Sequence, residues 1–230
     1  MARFRDYDIP VYTAAARHYH WWVAALIAVQ IPIGFYMVYR GNEMVGVNDK
    51  GEPVKGVWDA VTGALYSSHK ALGILILLLV LLRLGYRLTQ GAPRSDPSVP
   101  PALTGISHLV HWSIYLLLIA VPIGGYLGIS YGNYLDVFGV QLPGIVPENK
   151  DMSEQVFEYH ELGAKILLGL VALHIGAAVF HKFIRKDRVV ERMLPKKNDS
   201  CLTSKNPSAR LSLEPQKYRC VPLRRRDAEP

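Results

Sequence analysis

The stretch HELGAKILLGLVALH, His160–His174, is the part of the sequence from which the fold is read. Its two histidines stand fourteen positions apart, at opposite ends of an apolar run. On an α-helix this is just under four turns, so both side chains leave one face, about 21 Å apart along the axis. That distance nearly crosses the hydrocarbon core of a bilayer, roughly 30 Å thick. Leu167, Leu168, Leu170, Val171 and Leu173 fill the interval, and Gly163 and Gly169 are small enough to admit a bulky group beside them. Imidazoles are rare inside membrane spans and tend to be functional there. A buried helix with two satisfied histidines fits the pair equally well, so the partners have to be sought elsewhere in the chain.

Half of the 230 residues are hydrophobic, and the formal charge is +7. The basic residues cluster at the ends of apolar runs and near the C-terminus rather than on one soluble face, which points to membrane topology and away from nucleic acid. Four runs are long enough to span: Trp21–Tyr39, Ala71–Leu88, Leu109–Ile129 and Leu162–Phe183. The first lacks a cleavage site after its apolar core and reads as a retained span. Arg3, Arg5 and Arg17 precede it, Arg83, Arg87 and Arg94 flank the second connection, and Lys182, Arg185, Lys186, Arg188 and Arg192 follow the fourth. The positive-inside rule then predicts both termini in the cytoplasm. The expected fold is an all-α, four-helix membrane bundle over residues 15–195. Residues 1–14 form a lead-in, and residues 196–230 form a basic, disordered cytoplasmic tail.

Between the spans, residues 40–66 read as a polar external loop with a turn at DKGEP and VWDAVTGALY on the membrane surface; residues 130–152 form a second external loop. Ser153–Tyr159 is expected to be the entry turn of the fourth helix. Pro32, Pro122 and the Gly124–Gly125 pair should bend the first and third spans. Cys201 and Cys220 both fall in the tail and read as free thiols, and no C-x-x-C-H occurs, so a haem here would be b-type, held without thioether bonds.

Eight histidines are candidate ligands, and depth sorts them. With the N-terminus inside, His160 lies at the external end of the fourth helix and His174 toward the internal end. His69 opens the second helix at the depth of His160, and His20 lies in the first helix at the depth of His174. Two bis-histidine pairs result, His69/His160 outside and His20/His174 inside, the geometry for ligating two stacked haems. Arg83 is fourteen positions after His69, at the inner level, where a guanidinium can pair with a haem propionate or simply snorkel from a helix end. Gly34 is fourteen positions after His20, where a missing side chain would let the macrocycle lie against the backbone, or else serve the commoner purpose of a close helix–helix contact. His18 points away from His20. His108, His111 and His181 gather at the internal end, as a quinone or proton-exchange site or as interfacial histidines wet by headgroup water. Lys70, directly after His69, is the cation best placed to attract a small external anion.

The pattern resembles the bacterial cytochrome b561 family of small four-helix di-haem membrane cytochromes. The residues that carry the resemblance are YHWW at His20, SSHKALGILIL at His69, GISHLVHWSIYLLLIAVPIGGY from Gly105, YHELGAKILLGLVALHIGAAVFH from Tyr159, and KDRVVERMLPKK. It covers about residues 12–197. It implies axial ligands at His20, His69, His160 and His174, two haem b groups, and a place in the bacterial inner membrane. It also implies electron transfer between an external donor, superoxide in some relatives or else a redox protein, and ubiquinone. The chain departs in its long first external loop, in SVPPAL where some relatives carry basic residues, and in the segment after Asn198. Two other readings fit the same residues: a cytochrome b anchor of a larger dehydrogenase, and a haem-free transporter or scaffold whose histidines bind zinc or copper.

Overall fold

The computed structural model describes residues 11–48, 50–96 and 99–194. Four long helices account for most of them: α1 (Ala14–Val38), α2 (Ala60–Gln90), α3 (Pro101–Tyr131) and α4 (Lys150–Val179). Each is long and apolar enough to cross a bilayer. Two of them run on into a wider π-type turn, Tyr39–Glu43 after α1 and Phe180–Arg185 after α4. Consecutive helices pack side by side, α1 on α2, α2 on α3 and α3 on α4, as antiparallel neighbours in a bundle do.

The helices are longer than the apolar runs because polar residues cap them outside the hydrocarbon. Thr13 caps α1 by accepting from Ala16 N–H, Asp59 caps α2 through Thr62 N–H, and Asn149 caps α4 through Met152 N–H. α3 starts instead with Pro101 in its first turn, where the missing N–H costs nothing. Two expectations are corrected by these caps. Residues 60–66, read as surface loop, are the first two turns of α2, and α4 begins at Lys150 rather than after an entry turn at 153–159. Helix α1 continues through Pro32 and α3 through Pro122.

The α1–α2 and α3–α4 connections carry two small hairpins that alternation did not foretell. Strand β1 (Val45–Val47) pairs with β2 (Pro53–Lys55), and β3 (Asp136–Val137) with β4 (Val140–Gln141), both antiparallel. In the first, the Asn48 side-chain oxygen accepts from the backbone N–H groups of Lys50 and Glu52, and Gly51 takes φ 79°, closing the DKGEP turn. Arg40 ties that connection down: its guanidinium bonds Thr62 Oγ1 at 3.0 Å and Asp59 at 2.7 Å. The Thr62 backbone N–H, and then that guanidinium, hold the Asp59 carboxyl below the usual carboxylate range. At the other end, residues beyond α4 fold back over α1 and the α2–α3 connection. Trp21 Nε1 donates to Met193 O (2.8 Å), Arg17 to Leu194 O (3.4 Å) and Arg192 to Arg94 O (2.6 Å).

The core is small and sits at mid-height. Val23, Ile76, Val80, Tyr115, Leu118 and Leu167, drawn from all four helices, form one buried cluster. Most other apolar side chains face outward, as a bundle solvated by lipid requires. The expected lead-in up to residue 10, the two cysteines and the segment from residue 195 lie outside the described residues.

Candidate functional site

Helix α4 packs closely along α3 but makes at most scattered backbone approaches to α1 and α2. Across those two gaps histidines meet. The His20 and His174 rings have centroids 6.2 Å apart with planes at 77°; the His69 and His160 rings are 6.1 Å apart at 80°. A single metal bound by two imidazole nitrogens at about 2.0 Å each sets the centroids about 6.3 Å apart. Both gaps therefore fit an axial bis-histidine pair, and the buried core cluster lies between the two levels.

At the outer level both rings are pressed against glycine. A Cβ added at Gly34 would stand 3.1 Å from His69 Cε1, and one at Gly125 would stand 3.0 Å from His160 Cε1 and Nδ1. Gly34 thus lies at the expected outer level, though the group that it admits is the ligand ring itself. Gly125 escaped sequence reasoning, which read the Gly124–Gly125 pair as a bend. Gly124 has nothing within 4 Å of a Cβ, so only one of the two glycines is constrained by a neighbour. His160 Nδ1 donates to the Val121 carbonyl at 2.9 Å, which directs Nε2 into the gap. His69 receives a bond on its backbone instead: Gln30 Nε2 donates to His69 O at 2.9 Å. His69 Nδ1 and Gln30 Oε1 are both buried without a partner.

The inner level is built from charge and aromatic rings. His111 faces His174 with centroids 5.1 Å apart, too close for one metal to bridge, and its Nδ1 donates to Ser107 O at 2.6 Å. Arg83 lies within electrostatic reach of His20, His111 and His174. Its Nε donates to Tyr115 Oη at 2.8 Å, and Arg87 lies 5.5 Å above the Trp112 ring and 5.6 Å above Tyr115. Arg83, Arg87, Tyr12, Tyr86 and Tyr115 line one small cleft at this end. Tyr115 was not singled out from the sequence; its only signal was a polar tip inside an apolar run.

The three histidines expected to gather at the internal end are separated. His111 turns into the bundle, His108 is exposed on the outside of α3, and His181 is bound through Nδ1 to Asp187 at 2.6 Å, beside Arg185. His108 and His111 share a broad helix face, about 60° apart, and the way α3 is rotated against α4 brings only His111 up to His174. Lys70, expected as an external cation, is not free either. Its ammonium donates to the carbonyls of Tyr134 (3.0 Å) and Asp136, pinning the second hairpin to α2.

Comparison with known proteins agrees with this arrangement. A family model described as prokaryotic cytochrome b561 matches residues 11–196. The chain is 37% identical over 131 residues to the probable superoxide oxidase CybB of Yersinia pestis, covering 56% of this chain and 74% of that protein. It is 26% identical over 187 residues to cytochrome b561 homolog 2 of Escherichia coli, covering 80% and 92%. It is also 26% identical over 195 residues to cytochrome b562 of Cereibacter sphaeroides, covering 80% and 96%. Four membrane-crossing helices, facing imidazoles in the gaps beside α4 and a match over most of the chain lead to one conclusion: the chain belongs to the prokaryotic cytochrome b561 family, as a multi-pass b-type cytochrome of the bacterial inner membrane that takes part in electron transfer.

Proposed function

We propose that the chain holds two haem b groups, one between His69 and His160 and one between His20 and His174, and moves electrons across the membrane between an external donor and the quinone pool. The observation that carries this reading is the pair of centroid separations, 6.1 and 6.2 Å, at two levels of one helix face. A closed zinc site, the haem-free alternative, needs four ligands. Among the described residues, no group of three or more His, Cys, Asp and Glu side chains is arranged to hold a metal ion. Haem b, when bound, supplies one-electron chemistry; the rest falls to the protein.

His160 is held in one tautomer by Val121 O, so its Nε2 lone pair is free for ligation. Gly34 and Gly125 exclude side chains from the outer gap. Arg83 supplies positive charge at the inner level, suited to a propionate. The basic residues at the ends of α2 and α4 support a cytoplasmic position for both termini, with the His69/His160 level outside. The name of the Yersinia pestis relative supports superoxide as the donor. Two superoxide ions losing one electron each give two molecules of dioxygen, and the two electrons with two protons from the inner side convert a quinone to its quinol. Lys70, whose charge is fixed beside His69, would act on the incoming anion over short range only. His181 and His111 would exchange protons on the inner side.

Pyridine haemochrome assay of the purified full chain tests the reading. Two haems per chain are expected, and His160→Ala should lose the outer one and retain part of the inner. One haem per unmodified chain would refute the two-level assignment.

A further inference from the structure

We propose that Gln30 is the positioning residue of the outer haem site, its Oε1 taking the Nδ1 proton of His69; this rests on the two-haem reading above. The amide orientation follows from chemistry. The His69 carbonyl can only accept, so the atom 2.9 Å from it is the Gln30 nitrogen, and the other terminal atom is an acceptor. That acceptor is buried and unpaired. An imidazole that gives its Nε2 lone pair to iron keeps its proton on Nδ1, and His69 Nδ1 is also buried and unpaired. Donor and acceptor thus belong to two residues already joined by a hydrogen bond, from the Gln30 amide to the His69 backbone carbonyl. His69 Nδ1 also lies 3.4 Å from the Cβ position of Gly34, one helical turn beyond Gln30 on α1.

The proposed bond requires a rotation about the last side-chain bonds of Gln30 and His69, with the amide nitrogen staying on His69 O. The amide has room, since a Cβ at Gly73 would still be 3.6 Å from Gln30 Nε2. The two outer ligands then become equivalent in kind. His160 gives its Nδ1 proton to the Val121 carbonyl, and His69 gives its own to an amide oxygen. An acceptor on Nδ1 fixes ring orientation and raises the basicity of the ligating nitrogen, which favours the oxidised iron. It also accounts for an uncharged polar side chain in the span of α1, where polar groups are retained for partners within the bundle.

The test uses full-length protein in detergent, with redox titration of the two haems and His160→Ala to assign the outer one. Gln30→Met keeps the length and removes the acceptor, so the outer midpoint potential should shift upward while the inner one stays in place. Gln30→Glu retains an acceptor oxygen and should give no upward shift. The proposal is overturned if Gln30→Met leaves the outer potential and the electron paramagnetic resonance g-values unchanged. It is also overturned if Met and Glu raise the potential alike, since the bond to His69 O would then be the cause. Should Gln30→Met fail to hold the outer haem, retention in Gln30→Glu supports the proposal and loss in both refutes it. A single haem in the unmodified chain would instead bring down the underlying reading, and the proposal with it.

Discussion

The outer and inner levels of the bundle hold similar histidine pairs by different means. Outside, His69 and His160 are positioned by the closeness of backbone: a glycine stands against each ring, and Val121 O fixes one tautomer. Inside, His20 and His174 share their surroundings with His111, Arg83, Arg87 and Tyr115, so charge and hydrogen bonds set the environment. The outer level should therefore be sensitive to added volume and the inner level to lost charge.

The largest effect should come from Gly125→Val. Its side chain would meet His160 at a Cβ position 3.0 Å from the ring, and overpacking of this kind costs about 1–3 kcal/mol. The outer haem should be lost and the inner kept, halving the haemochrome yield per chain. The adjacent Gly124→Val meets nothing within 4 Å and should bind as the unmodified protein does. Equal losses in both variants would show that helix bending rather than ring clearance is at stake, and the contrast between the levels would fail.

Next in size is Arg83→Leu. Removing a positive charge near the inner pair should lower the inner midpoint potential by on the order of 50 mV, as expected for one charge at an effective dielectric of about 20. The outer potential should move much less. A shift of the outer haem alone in redox titration would reverse the assignment of Arg83 to the inner level.

Lys70→Gln should give the smallest effect. The amide can still donate to the carbonyls of Tyr134 and Asp136, so the hairpin stays pinned while the charge is removed. Haem reduction by superoxide should slow about twofold, with a weaker dependence on ionic strength. An unchanged rate at low salt would remove Lys70 from the path of the anion.

The histidine ladder was legible because helical periodicity relates sequence distance to face and depth without any knowledge of packing. Fourteen residues is close to a whole number of turns, so His160 and His174 had to share a face once the segment was helical. The roles of His108, Lys70 and Gly125 were not legible for the opposite reason. Each depends on which neighbouring element supplies the next atom. Charge count alone could not tell that Lys70 would be held by backbone carbonyls of a hairpin more than sixty residues away. Likewise the Arg40 guanidinium is taken up by Asp59 and Thr62, which its place in the sequence does not reveal.

By itself, then, the sequence determined four spans, their alternation and the matched depths of four histidines, because hydrophobicity and helical rise are properties of single segments. Tertiary structure decided the remainder. It set α4 back from α1 and α2 to leave two gaps, chose Gly125 over Gly124 as the residue against a ring, and turned His111 toward His174 while leaving His108 outside. Those outcomes follow from how the helices are rotated about their axes against one another, and only packing between helices fixes that rotation.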